Sequence, residues 1–200
     1  MKKIFPLIFT LIFTANINTY TRESSLGEER HKWGSELGYG TQAGLDVNYF
    51  YEVYLFQYQY YFTLLGNEKW ALEIIAQPQF NLSRFENSND SPIITRGHEY
   101  GLNAGLLIRR LCLNYLISPY LFISTGPHYV SGVPERQSPG FIFSDNFFTG
   151  LNIRLNQAFY LDLRFGFRHI SNAGLSNPNG GINNFVVNIG FISFFQNKPQ

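Results

Sequence analysis

The chain has 200 residues and a net charge of +1, with 44% hydrophobic and only 14% charged residues. This length suits one domain, and the high hydrophobicity excludes a disordered chain. The low net charge and the lack of a basic run argue against nucleic acid as a partner. With 20 Phe and 13 Tyr against a single Met, the composition favours strands over helices.

The N-terminus is predicted to be a secretory signal peptide. Lys2 and Lys3 precede an apolar run over residues 4–13, which is too short to span a membrane as a helix. We therefore expect residues 1–20 to be a signal peptide and residues 21–200 to form a single domain.

Alternation of apolar with small or polar residues recurs along the rest of the chain, as in Tyr100, Leu102 and Ala104 against Gly101 and Asn103. A period of two indicates strands with unlike faces. Eight such strands are predicted, at about 33–43, 48–62, 69–82, 98–110, 118–130, 141–155, 158–170 and 184–195. Most are long enough to cross a bilayer when tilted.

The predicted connections alternate between long loops, such as 83–97 and 131–140, and short turns, such as the one at Asn156 and Gln157. This alternation is typical of outer-membrane barrels, whose turns are periplasmic and whose longer loops are extracellular. The sequence therefore predicts an all-β protein, an eight-stranded antiparallel transmembrane β-barrel in the bacterial outer membrane. The alternative is a secreted soluble β-sandwich or a lipocalin-like barrel.

A small barrel fills its interior with side chains, so the polar faces should point inward and the apolar faces should meet lipid. The polar residues expected inside are Glu73, Asn103, Arg109, Asn152, Arg154, Asp162, Arg164 and Asn188. Aromatic residues near strand ends are expected to form the girdles at the two membrane surfaces. These are Tyr49, Tyr51, Tyr60, Tyr61, Trp70, Tyr120 and Phe195.

The seventh strand carries an unusual pair of polar residues. Its odd positions, among them Phe165 and Phe167, form the lipid face, and His169 and Ser171 continue that series. Exposing an imidazole to lipid costs free energy, which favours a functional reason for its position. Residues two apart on a strand point the same way, so a base and a nucleophile could meet there.

The following segment, residues 169–183, reads HISNAGLSNPNGGIN and resembles the signature of the PagL-type lipid A 3-O-deacylases. The pattern His-x-Ser-Asn-Ala-Gly, followed by Pro-Asn, matches this chain from His169 to Gly174 and at Pro178 and Asn179. The resemblance implies an outer-membrane serine esterase that removes an ester-linked acyl chain from lipid A. Its active site would lie on the lipid-facing wall.

By this resemblance, Ser171 is the nucleophile and His169 the general base. Asn172 and Gly174 would bind the oxyanion, and Asn179 would order the loop or add a donor. The third triad position, Glu in the best-known members, falls on Asn183. An amide orients the imidazole but adds no charge. Asn184 and Asp145 are the other conceivable third members.

No cofactor and no metal site are expected, because His31, His98 and His128 are widely spaced and Cys112 is the only cysteine. The expected partner is lipid A or lipopolysaccharide in the outer leaflet, and a homodimer is possible. The competing functional hypothesis is a non-catalytic outer-membrane barrel, adhesive or structural, that acts through its surface loops.

Overall fold

The computed structural model describes residues 30–43, 49–86, 93–112, 116–156 and 158–194. Their regular structure consists of the strands β1 His31–Gln42, β2 Tyr51–Gly66, β3 Trp70–Glu86, β4 Ile94–Arg110, β5 Ile117–Val130, β6 Gly140–Arg154, β7 Phe159–Ser171 and β8 Ile182–Phe194. Within these ranges no helix is long and apolar enough to span a membrane. The predicted signal peptide lies outside the described residues.

Each strand pairs antiparallel with the next, and β1 pairs with β8 to close the barrel, with Thr41 opposite Phe185. Closure leaves no strand edge facing lipid, where unpaired backbone groups would each cost several kcal/mol. The predicted eight-stranded antiparallel barrel is confirmed, and the soluble sandwich is excluded.

The connections alternate in length around the barrel. The strand ends joined by the longer connections, 43–50, 87–93, 131–139 and 172–181, lie at one rim, and those joined by the shorter connections, 67–69, 111–116 and 155–158, lie at the other. The predicted loop 83–97 was too long, because β3 continues to Glu86 and β4 starts at Ile94. We take the rim with longer connections as extracellular.

The outer wall is apolar over most of its area. Large hydrophobic side chains project from every strand and are about half exposed, among them Leu37, Phe56, Phe80, Leu102, Ile123, Phe147, Phe165 and Ile189. Such a continuous apolar surface would be a liability in water and is what a bilayer requires.

The lumen is filled by polar side chains that pair with one another. Seven of the eight predicted inward residues are buried, and the eighth, Arg154, is partly exposed at the β6–β7 turn. Carboxylates organise three ionic clusters along the barrel. These are Glu73 with Lys32 and Arg109, Asp162 and Glu36 with Arg164, and Glu99 with Arg168 and His128. The closed wall excludes these charges from lipid.

The prediction of aromatic girdles was wrong for four tyrosines, of which Tyr49 is buried beneath Arg136. The predicted Phe195 lies outside the described residues. Tyr51, Tyr61 and Tyr120 are almost fully buried in the lumen. Adjacent residues on a strand face opposite sides, so Tyr60 and Tyr61 cannot both meet lipid. The buried hydroxyls also find partners there, since Tyr120 donates to Asp162 at 2.5 Å.

Candidate active site on the outer wall

A row of four polar side chains crosses the otherwise apolar outer wall near the extracellular rim. In register, Thr125 of β5 lies opposite Asp145 of β6, Asp145 opposite His169 of β7, and His169 opposite Asn183 of β8. Thr125 and Asp145 are exposed, whereas His169 and Asn183 are partly exposed. Directly opposed side chains on one face lie about 5 Å apart at Cβ, so the row is contiguous.

The imidazole of His169 is oriented by Asn183. The distance from its Nδ1 to Asn183 Oδ1 is 2.6 Å. Because an amide oxygen only accepts, Nδ1 carries the proton and Nε2 presents its lone pair. The tautomer is therefore the one that a general base requires.

Gly181 lies next to the Cε1 atom of the ring. It has a φ of +63°, and a Cβ atom at this position would lie 2.6 Å from His169 Cε1. Only glycine offers both the left-handed backbone and the space for the ring. The backbone of the β7–β8 loop thus forms one wall of the imidazole site.

Ser171 projects from the same face as His169, two residues further along β7, and is partly exposed opposite Phe143. Within the described residues its hydroxyl has no hydrogen-bond partner, and the structure does not join it to the imidazole. The two Cα atoms are about 7 Å apart by strand geometry, a span that a ring and a rotated hydroxyl can bridge. Catalytic hydrogen bonds are often long in free enzymes and tighten when substrate binds.

The β7–β8 loop, residues 172–181, is folded by Asn172. This residue is 1% exposed, its Nδ2 donates to the carbonyl and hydroxyl oxygens of Ser176 at 2.8 Å, and its Oδ1 accepts from the Gly174 N–H at 3.0 Å. Both amide hydrogens of Asn172 and the N–H of Gly174 are therefore already used within the loop, which is at odds with their predicted role as oxyanion donors.

Asn179 keeps a side-chain donor to spare. Its Oδ1 accepts from the backbone N–H of Asn172 at 3.1 Å, which fixes the side chain beside Ser171. Its exposed Nδ2 has no hydrogen-bond partner among the described residues. Because Asn172 follows Ser171 in the chain, the bond to the Asn172 N–H keeps the Asn179 amide close to the end of β7, and its free N–H group makes Asn179 a candidate oxyanion donor.

Asn184 and Asp145, the other two candidates for the third position of the triad, lie on opposite sides of the barrel wall. Asn184 is fully buried and faces the lumen, so it cannot contact His169. Asp145 faces outward beside the ring and accepts a hydrogen bond from Thr125 at 2.5 Å. No ion pair joins Asp145 to His169 within the described residues, so the carboxylate is a neighbour of the imidazole and not its partner.

Sequence reasoning missed Thr125 and the contribution of the β5–β6 loop, residues 131–139. Thr125 interrupts the outward apolar series of β5, and Asp145 interrupts that of β6. These two interruptions were the signal in the sequence that could have identified the polar row. Their alignment with His169 depends on strand register, which alternation alone does not specify.

Aromatic side chains surround the site on its membrane side. Phe147 and Phe185 lie opposite Phe167 on either side of β7, and Phe165 stacks on Phe185 with ring centroids 6.2 Å apart. The polar row therefore sits where an apolar wall gives way to polar loops. A glycolipid would place its ester linkages at this boundary, with acyl chains below and sugar above.

These features define a class of protein, an outer-membrane barrel with a polar site on its lipid-facing wall. The family model for lipid A 3-O-deacylase (PagL) matches residues 53–191, which include the site. The chain belongs to the lipid A 3-O-deacylase (PagL) family, and family and fold together place it in the bacterial outer membrane.

Solved structures agree on the fold. The outer membrane enzyme PagL is 16% identical with a TM-score of 0.60, covering 80% of this chain and 97% of that one. Neisserial surface protein A is 14% identical with a TM-score of 0.53, covering 82% and 97%. A search of curated protein sequences gave no significant match. The comparisons do not support the homodimer, which stays a prediction.

Proposed function

We propose that this protein is a serine esterase that removes an ester-linked 3-O-hydroxyacyl chain from lipid A in the outer leaflet. The observation that carries the proposal is the placement of Ser171 and His169 side by side on the lipid-facing wall, at the upper edge of an aromatic belt. The family supports the substrate class.

In the first half-reaction, the Ser171 hydroxyl attacks the ester carbonyl carbon while its proton passes to His169 Nε2. Asn179 Nδ2 donates to the oxygen that becomes negatively charged. When the tetrahedral intermediate collapses, the carbon–oxygen bond to the sugar breaks, and the imidazolium returns the proton to the sugar oxygen. An acyl-serine remains.

In the second half-reaction, water attacks the acyl-serine and gives a proton to His169. When the resulting tetrahedral intermediate collapses, the bond between the acyl carbon and Ser171 Oγ breaks, the imidazolium returns the proton to Oγ, and the fatty acid leaves. Asn183 holds the imidazole in the required tautomer throughout but adds no negative charge, so we expect slower turnover than with a carboxylate there. No cofactor takes part in this scheme.

The test is mass spectrometry of lipid A from cells that express the protein. We expect the wild type to remove one hydroxyacyl chain and Ser171→Ala to remove none. Ser35→Ala is the matched control, because Ser35 is an exposed serine on the outer wall of β1, away from the site. Unchanged lipid A with inserted wild-type barrel would contradict the proposal and favour the non-catalytic barrel.

A further inference from the structure

The β5–β6 loop does not contribute to the polar row, yet its residues 136–138 are hydrogen-bonded to the β7–β8 loop. We infer that Gln137, in the β5–β6 loop, is a positioning residue that sets the backbone beside the catalytic imidazole. The inference rests on the proposed function, because it assigns Gln137 a task in that reaction.

Backbone contacts join the two loops like a short pair of strands. Gln137 and Asn179 form an antiparallel bridge, the Gly180 N–H donates to the Arg136 carbonyl at 2.7 Å, and the Ser138 N–H donates to the Pro178 carbonyl at 2.8 Å. These bonds flank Asn179 on both sides. The backbone of Asn179, the proposed oxyanion donor, is therefore held by the β5–β6 loop, while its side chain is held by Asn172 of its own loop.

The side chain of Gln137 reaches further towards the imidazole. It is 2% exposed, and its Oε1 accepts a hydrogen bond from the Gly181 N–H at 3.1 Å. Gly181 is the residue whose backbone packs on His169 Cε1. Without this acceptor the buried Gly181 N–H would lack a partner, and the backbone would move to find one.

Arg136 strengthens the same arrangement from the solvent side. Its guanidinium donates to the Gly180 carbonyl and lies over the Tyr49 ring, 4.9 Å from the centroid. The Tyr49 hydroxyl accepts from the Asn183 N–H at 3.3 Å. The two residues that flank the imidazole, Gly181 and Asn183, are thus both held by side chains from other loops.

Gln137 approaches the imidazole only through Gly181, so its effect is on geometry. Displacing a catalytic group by about 1 Å can cost about a hundredfold in rate. A residue that positions the base should therefore affect kcat, while the KM for lipid A, which depends on the outer wall and the other loops, changes little.

The experiment compares three variants of the full-length protein on lipid A in mixed micelles. Gln137→Met keeps the length of the side chain and removes the acceptor, whereas Gln137→Glu retains an acceptor oxygen. Glu135→Gln is the control, because Glu135 is an exposed residue of the same loop. We expect kcat to fall at least about tenfold for Gln137→Met with KM nearly unchanged, and to stay at the wild-type value in Glu135→Gln. Gln137→Glu should recover part of the loss, because it keeps the acceptor for Gly181 but loses the Nε2 donation to the Ser138 carbonyl.

Hydrogen exchange of the Gly181 amide provides a readout that does not depend on activity. Exchange should be faster in Gln137→Met than in the wild type and the control. If the wild type is active and Gln137→Met matches its kcat, the inference is overturned and the proposed function stands. If the wild type is inactive, the proposed function fails, and unchanged Gly181 exchange in Gln137→Met would then overturn the positioning role as well.

Discussion

His128 and His169 are both histidines, but their side chains lie on opposite sides of the barrel wall. His128 faces the lumen, is 2% exposed, and contacts Glu99, Asn103 and Gln79 through its two ring nitrogens. His169 faces the membrane and is held through Nδ1 alone. The lumen imidazole has both nitrogens occupied and no route for a substrate, whereas the outer imidazole keeps Nε2 available on an accessible surface.

The carboxylates show the same contrast. Glu99 in the lumen is paired with Arg168 and His128. Asp145 on the outer wall has only the Thr125 hydroxyl as its hydrogen-bonding partner in the described part of the chain. Buried charges are retained when they are paired, so the lumen clusters serve the fold. Asp145, by contrast, has no cationic partner among the described residues, so it does not belong to such a cluster.

The largest effect should come from exchanging each histidine for glutamine. His169→Gln should lower the deacylation rate by at least about a thousandfold, because the general base is lost, and leave the unfolding free energy unchanged. His128→Gln should retain activity but lower the unfolding free energy by about 1–3 kcal/mol, because it leaves lumen partners unsatisfied. Lipid A mass spectrometry and denaturant unfolding in detergent measure the two quantities. Equal loss of activity in both variants would contradict the assignment of a catalytic role to His169 and a structural role to His128.

The next largest effect should come from Gly181→Ala. The added Cβ would collide with the His169 ring, so the rate should fall about a hundredfold. Gly140→Ala is the control, because Gly140 also has a positive φ, +102°, but open space around its Cβ position. A similar rate loss in both variants would show that backbone strain, and not contact with the imidazole, is responsible.

A gain is expected from Asn183→Glu. A carboxylate at Nδ1 stabilises the imidazolium by charge, so the rate should rise about tenfold, part of the roughly 10⁴-fold range that separates a carboxylate from an amide in such triads. Asn183→Gln, of the same length without the charge, should give no gain. The initial rate of fatty acid release distinguishes them, and a carboxylate variant no faster than the amide variant would count against an imidazolium intermediate.

The smallest effect is expected from Asp145→Asn. Removing a negative charge one strand away from the imidazole should slow turnover by about three- to tenfold, and the difference should shrink at high ionic strength, because the pair is partly exposed. Glu52→Gln is the control, since Glu52 lies on β2 and pairs with Arg84. If added salt leaves the Asp145→Asn difference unchanged, its cause is not charge.

Alternation, strand length and the pattern of long and short connections together were sufficient to predict the barrel. In a sheet with one face in lipid and the other in a filled lumen, each residue is assigned to a side by parity, and this placed Glu73, Asp162 and Arg164 inside correctly. Aromatic content was a poorer guide than parity, which is why Tyr51, Tyr61 and Tyr120 were assigned to the wrong surface.

The sequence by itself determined the strand count, the outward face of β7, and the placement of a histidine and a serine on that face, because these depend on residues close together in the chain. Only the tertiary structure decided which residues meet across strands and loops. Strand register places Asn183 and Asp145 opposite His169 on its two neighbouring strands. A contact between loops places Gln137 within hydrogen-bonding distance of Gly181. These placements depend on how the barrel closes, and a period of two carries no information about closure.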